Sequence, residues 1–343
     1  MAKPAQPRLL ALDGLRGFAA LAVMELHATR GAFPAHGGLA VDLFFLMSGF
    51  VLAGAYEPRL REGLAFRAFM AERIARLYPV YLLGLVVGVA LLGHQFGGET
   101  WAAFAAGLVF APSFGGPHEA AFWLDGPLWS LSLEILANGL FAAGLWRLSN
   151  RALAAIAAIA ALALAVAAFR YGQAEFGYFR AGWDYWLGYA RVCFSFPLGW
   201  LIWRCRAALA PGCTRRASGI AVAAVAVSFV AVAGQGALVA ILLLFPVVVT
   251  ALALGPQPAG WPGRLATTAG MLSYPLYVLH AHVVILANSL APPPWRPWLI
   301  VAGSLAVAWL AARSVDPLGR RLLTRAFAGA GARQLRGAAT QPV

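Results

Sequence analysis

Charge is what this chain has least of. Only 11% of its 343 residues are charged, and Lys3 is its single lysine. A soluble domain carries about 25% charged residues, so a water-soluble fold of this length would lack a polar surface. Cysteine is almost missing as well. Cys193, Cys205 and Cys213 are odd in number and have no metal-ligand spacing, which argues against a disulfide framework and a zinc site. Nothing alternates polar and apolar in segments of about ten residues, which excludes a strand barrel. The first apolar run holds Asp13 and Arg16 with no small-residue cleavage site after it, so no cleavable signal is expected.

What is present is apolar length. Hydrophobic residues make up 61% of the chain. Apolar stretches of roughly 20 residues recur, each long enough for a bilayer core of about 30 Å. They must be helices, because lipid offers no hydrogen bonds to an open backbone. The expectation is an all-α membrane protein of about ten transmembrane helices at 10–29, 38–56, 74–93, 127–147, 151–169, 183–204, 217–233, 237–254, 267–290 and 297–313. The segment 101–112 is apolar but short, and reads as re-entrant or interfacial. The whole of 1–343 forms one membrane domain, ending in a short tail over 314–343 that reads as a fraying interfacial helix.

The net charge of +13 is explained by topology rather than by nucleic acid. With both termini in the cytoplasm, twenty of the 26 basic residues fall inside, and only Arg30, Arg170, Arg180 and Arg296 fall outside. Arg16 and Arg191 lie within spans.

Ionisable groups inside a bilayer cost about 2.5–3.5 kcal/mol each on insertion scales, yet several cluster here. The first span holds Asp13, Arg16, Glu25 and His27, the second Asp42, the fourth Glu134 and the ninth His280 and His282. Arg16 and His27 are eleven residues apart, or three turns plus roughly 20°, and so share one stripe about 16 Å long. Asp13 can pair with Arg16 from the same stripe, and Glu25 points elsewhere, toward another helix. Asp42 and Glu134 reach about the depth of His27, and a histidine near carboxylates suits general base catalysis. The same residue types also serve as proton relays in transporters.

Ser130 and Glu134 share a face, as do Ser273 and Tyr277, with His280 three residues further on; Pro275 should kink the ninth span. His282 diverges from His280, so no metal site is expected. Arg73 and Arg76 form one basic face suited to phosphate or to lipid headgroups.

Five motifs then line up in one order. They are LDGLRGFAALAVMELH in the first span, VDLFFLMSGFVL with Phe44, Phe45, Ser48, Gly49 and Phe50, and FMAERIARLYPVY with Arg73, Arg76, Tyr78 and Pro79. LWSLSLE with Trp129, Ser130 and Glu134 follows, then SYPLYVLHAHVV with Ser273, Tyr274, Tyr277 and His280. Together they make the chain resemble the acyltransferase 3 family, over nearly its whole length. The resemblance implies a multi-pass enzyme of the bacterial plasma membrane that moves an acyl group, most often acetyl, from acyl-CoA to a hydroxyl of a glycan or glycolipid in the cell envelope. Acyl-CoA would be a co-substrate, with no bound cofactor. Its phosphates would meet Arg73 and Arg76, with Arg16 further in. His27, oriented by Asp42 or Glu134, would be the general base, or would itself carry the acyl group. Ser48, Ser130 or Tyr277 would supply oxyanion donors. Some family members carry a fused hydrolase-like domain, which is not seen here, so the chain is expected to act alone or with a separate envelope partner. The alternative is a transporter or flippase for a lipid-linked sugar, although no inverted repeat is visible.

Overall fold

A computed structural model of the chain describes residues 8–29, 36–93, 97–114, 119–178, 183–210, 213–232 and 234–338, with side chains as far as Ala328. Lys3, Arg30 and Arg180, and the side chains of Arg333 and Arg336, all counted in the charge distribution, lie outside them.

The described residues are helical, without a β-strand. In chain order the helices are α1 (Leu10–Ala28), α2 (Ala40–Arg61), α3 (Phe66–Leu92), α4 (Gly98–Leu108), α5 (Leu128–Ala143), α6 (Asn150–Tyr171), α7 (Asp184–Arg204) and the single turn α8 (Arg206–Leu209). Then come α9 (Arg215–Ala231), α10 (Gln235–Val239), α11 (Phe245–Leu254), α12 (Gly260–Leu290), α13 (Arg296–Arg313) and α14 (Val315–Ala338). Local chemistry sets several ends. Ser149 and Thr214 cap α6 and α9 by accepting from the Ala152 and Ala217 amides. Gly172 closes α6 in the left-handed region at φ 72°. A widened π turn, Ala240–Leu244, precedes Pro246 and relieves the proline ring from the turn before it.

Each of the ten ranges read as spans holds a helix. Six segments are long and apolar enough to cross a membrane: Gly37–Arg61, Phe66–Leu92, Asn150–Tyr171, Gln235–Leu254, Gly260–Leu290 and Arg296–Ala328. The others fall short for identifiable reasons. Helices α5 and α9 have 16 and 17 residues, about 24–26 Å at 1.5 Å per residue. Helix α1 carries Asp13, Arg16 and Glu25, and α7 carries Asp184, Arg191 and Arg204. At eleven residues, α4 is about 16 Å long and too short to cross. It lies against α3, where Tyr81 Oη donates to the Gly107 carbonyl at 2.7 Å.

Small residues bring the central helices together, as expected where lipid supplies no hydrophobic drive between helices. A Cβ at Gly49 of α2 would overlap the Phe196 carbonyl of α7, and one at Gly17 of α1 would overlap Ala269 of α12. The α1–α12 and α2–α7 pairs frame the interior, with α6 against α7, α13 against α12 and α14 along α3. Outward faces are apolar. Ile159, Leu162, Val166 and Phe169 of α6 are exposed, as are Trp261, Trp295 and Trp298 near helix ends, where indole rings favour the lipid–water interface.

Candidate active site

One cavity of about 610 Å³ opens between α1, α2, α3, α5, α12 and α14. Eight of the candidate site residues line it: Asp13, Arg16, Ser48, Arg73, Arg76, Ser130, Glu134 and Tyr277. Tyr274, Asp316 and Arg320 line it as well. Pro275 stands on its wall, inside the otherwise continuous α12. The proline's missing N–H leaves the carbonyl one turn back without its usual donor.

The arginines divide into two kinds. Arg73 is buried and committed: its Nη2 lies 3.4 Å from Glu134 Oε1. With the Asn138 amide turned so that its oxygen faces the guanidinium, that oxygen accepts from Nε and Nη2, each at 3.2 Å. Glu134 also accepts from Ser48 Oγ at 2.8 Å. Arg16 and Arg76, by contrast, make no hydrogen bond or ion pair to any described residue. Asp13 does not pair with Arg16 as the spacing predicts; its carboxylate goes to Arg8 Nε at 2.5 Å. Two unpaired guanidiniums inside one cavity make a site for an anion.

At the other end of the cavity, Ser130 Oγ and Tyr277 Oη share a hydrogen bond of 2.7 Å, and Phe44 meets the Tyr277 ring edge-on at 5.3 Å. His280 lies one turn beyond Tyr277, behind the wall rather than on it, with ring centroids 6.3 Å apart. It reaches His27: His280 Nε2 and His27 Nδ1 are 3.1 Å apart. The surrounding acceptors fix the tautomers. His280 Nδ1 faces the Leu276 carbonyl at 3.0 Å, so it carries the proton and Nε2 keeps a lone pair. His27 Nδ1 faces that lone pair and the Val23 carbonyl at 2.8 Å, so it too is protonated. The basic nitrogen of His27 is therefore Nε2, and the residue is exposed while His280 is fully buried.

This corrects the expected partner of His27. Neither carboxylate orients it; His280 and a backbone carbonyl do. Glu134 is held by Ser48 and Arg73. Asp42 is buried against Arg191, whose Nη2 lies 2.6 Å from Oδ2 and whose Nε is 3.2 Å from both oxygens. Arg191 also donates to the Phe176 and Gly38 carbonyls at 2.6 and 3.0 Å and lies over the Trp129 ring. That network joins α2, α5, α7 and the 174–177 segment. The Glu25 carboxylate, expected to pair with another helix, has no partner among the described residues. His282 is buried with both ring nitrogens unpaired, and no group of His, Cys, Asp or Glu able to hold a metal occurs among the described residues.

Sequence reasoning missed three features. The sequence places Arg191 within a span but names no partner for it, and it puts Asp316 and Arg320 in the 314–343 tail. An i,i+4 acid–base pair enclosing Gly319 was the available signal in that tail.

Comparison with known proteins agrees with the geometry. The acyltransferase 3 model, described as an acyltransferase domain, matches residues 9–313. The chain is 38% identical over 188 residues to "Protein 2 in picA locus" of Rhizobium radiobacter, covering 49% of this chain and 98% of that protein. It is 33% identical over 149 residues to "Acyltransferase MdmB" of Streptomyces mycarofaciens, 38% of each chain. It is also 33% identical over 179 residues to "Putative peptidoglycan O-acetyltransferase YrhL" of Bacillus subtilis (strain 168), 45% of this chain and 27% of that protein. No solved structure matches. A helical membrane bundle with its family motifs gathered around one cavity and a histidine pair is thus what the match over 9–313 describes: the chain belongs to the acyltransferase 3 family and is an acyltransferase.

Proposed function

We propose that the protein takes an acyl group, acetyl first among them, from acyl-CoA and passes it to a hydroxyl of a carbohydrate or related envelope acceptor. The observation that carries this reading is the polarity of the interior. Unpaired Arg16 and Arg76 stand in a cavity that Ser130 and Tyr277 also line, and behind that wall His280 connects Tyr277 with an exposed His27. In this reading the arginine end faces the cytoplasm, where acyl-CoA is made. The ten helices span the bacterial plasma membrane, with both termini inside. The positive-inside distribution of arginine supports that orientation.

The phosphates of acyl-CoA meet Arg16 and Arg76, and the thin pantetheine arm carries the thioester along the cavity. His27 Nε2 removes the proton of the acceptor hydroxyl as its oxygen attacks the thioester carbonyl. In this reading the Ser130–Tyr277 pair supplies a donor to the oxyanion. The C–S bond then breaks, and the thiolate takes the proton back from His27. His280 holds the His27 tautomer that this chemistry needs. A transporter reading is not retained, because the chain belongs to an acyltransferase family. The name of the Bacillus relative supports a glycan as acceptor class.

The test is acetyl-CoA turnover by purified protein in nanodiscs with a panel of soluble glycans, wild type against His27→Ala. Transfer, or slow thioester hydrolysis, that vanishes in the folded variant supports the reading. A folded wild type that neither binds nor turns over any acyl-CoA overturns it.

A further inference from the structure

The family match stops at residue 313, and α14 begins at Val315. Two α14 residues nevertheless stand on the cavity wall, Asp316 and Arg320. Their place is fixed by packing. Helix α14 lies along α3, and Gly319 rests on Pro79 so closely that a Cβ would overlap the proline ring. Asp316 Oδ1 accepts from Arg320 Nε at 2.7 Å, one turn apart. That bond holds the guanidinium by its inner nitrogen and leaves Nη1 and Nη2 without a described acceptor.

The charge of the lining gives these two nitrogens a ligand class. Five guanidiniums (Arg8, Arg16, Arg73, Arg76 and Arg320) face the cavity with only three carboxylates. Every carboxylate is already engaged: Asp13 by Arg8, Glu134 by Arg73 and Ser48, Asp316 by Arg320. The surplus is positive and unpaired, and Arg320, whose side chain is 43% exposed, extends it onto α14. A cavity of about 610 Å³ is the size of a pocket for a drug-sized group. On the acyl-CoA reading, the pantetheine arm fills it and the bulkier nucleotide stays at the rim.

Resting on the acyl-CoA reading above, we propose that α14 is the outer wall of the donor site and that Arg320 binds the phosphates at the nucleotide end of the donor through Nη1 and Nη2. Asp316 is a positioning residue that fixes the fork, and the Gly319–Pro79 contact sets its reach. The same phosphate chemistry exists in anionic lipid headgroups, so the lipid must be varied in the test.

Binding of CoA and of 4′-phosphopantetheine, which lacks the nucleotide, would be measured by calorimetry on the full chain in phosphatidylcholine nanodiscs. Removing a charge-assisted hydrogen bond to phosphate lowers affinity by about ten-fold or more, and Arg320→Ala should weaken CoA to that extent. It should leave 4′-phosphopantetheine unchanged. Arg320→Lys, which keeps the charge and loses the fork, should fall between and guards against a misfolded alanine variant. Gly319→Leu, which pushes α14 off Pro79, should weaken CoA in the same way. Equal weakening of both ligands, or of neither, overturns the proposal. So does an effect of Arg320→Ala seen only in phosphatidylglycerol discs, which would assign the phosphate to lipid. Failure of wild type to bind either ligand would instead remove the acyl-CoA reading itself, and is seen before any variant is compared.

Discussion

His27 and His280, 253 residues apart in the chain, meet at 3.1 Å through Nδ1 of the first and Nε2 of the second. One imidazole thus acts as the acceptor that fixes the other. His280→Ala should leave His27 in place with the Val23 carbonyl as the sole described acceptor for its Nδ1 proton, and so less firmly oriented. The expected result is a fall in kcat of about 10- to 100-fold, smaller than that in His27→Ala, since a positioned base contributes about 10²–10⁴-fold. Steady-state kinetics at saturating acetyl-CoA reads the difference. Equal activity in wild type and His280→Ala would remove the pair from the mechanism.

Asp42 and Arg191 should behave as a structural pair. Removing one partner of a buried ion pair costs about 3–5 kcal/mol. Asp42→Asn is therefore expected to lower the unfolding midpoint sharply, while the fraction that stays folded keeps its specific activity. Thermal unfolding in detergent together with activity per folded protein tests this. An intact midpoint with a large fall in kcat would return Asp42 to the catalytic role its depth implies.

Glu134 and Arg73 should couple. Glu134→Ala leaves the buried Arg73 guanidinium without its counter-charge, held by Asn138 alone, and should destabilise the fold, whereas the double variant with Arg73→Ala should recover part of that stability. A double-mutant cycle on unfolding free energy should give an interaction of about 0.5–3 kcal/mol, as touching pairs do. Additive effects would mean that the 3.4 Å approach carries little energy.

Asp125 precedes α5 outside the spans, buried with neither carboxylate oxygen paired among the described residues. Burial pushes its carboxyl well above the usual carboxylate range. Between the unfolded and folded values the native state binds the extra proton, so stability falls as pH rises through that window. Asp125→Asn should raise the unfolding midpoint relative to wild type at pH 8 and much less at pH 4. A variant less stable than wild type at both pH values would show that the carboxylate has a partner.

The sequence by itself determined the class of this protein. Apolar run length and helical period are local properties, so each range read as a span holds a helix. Scarce charges in apolar surroundings marked Arg16, Glu134, His27 and His280 before any packing was known. The ion pairs could not be read the same way. Asp13 had Arg16 three residues on and chose Arg8, and Asp42 found Arg191, 149 residues away. Which pair forms depends on which helices Gly17 and Gly49 allow to approach, and that is settled between elements. Arg320 is the furthest case. Its tail is polar and rich in Arg, Ala and Gly, like many solvated ends, and the one local signal, an i,i+4 pair of Asp316 and Arg320 around Gly319, does not say what the pair faces. Only the seating of Gly319 on Pro79 brings its guanidinium to the cavity, because a side chain acquires a ligand site from its neighbours in space and the chain order does not contain them.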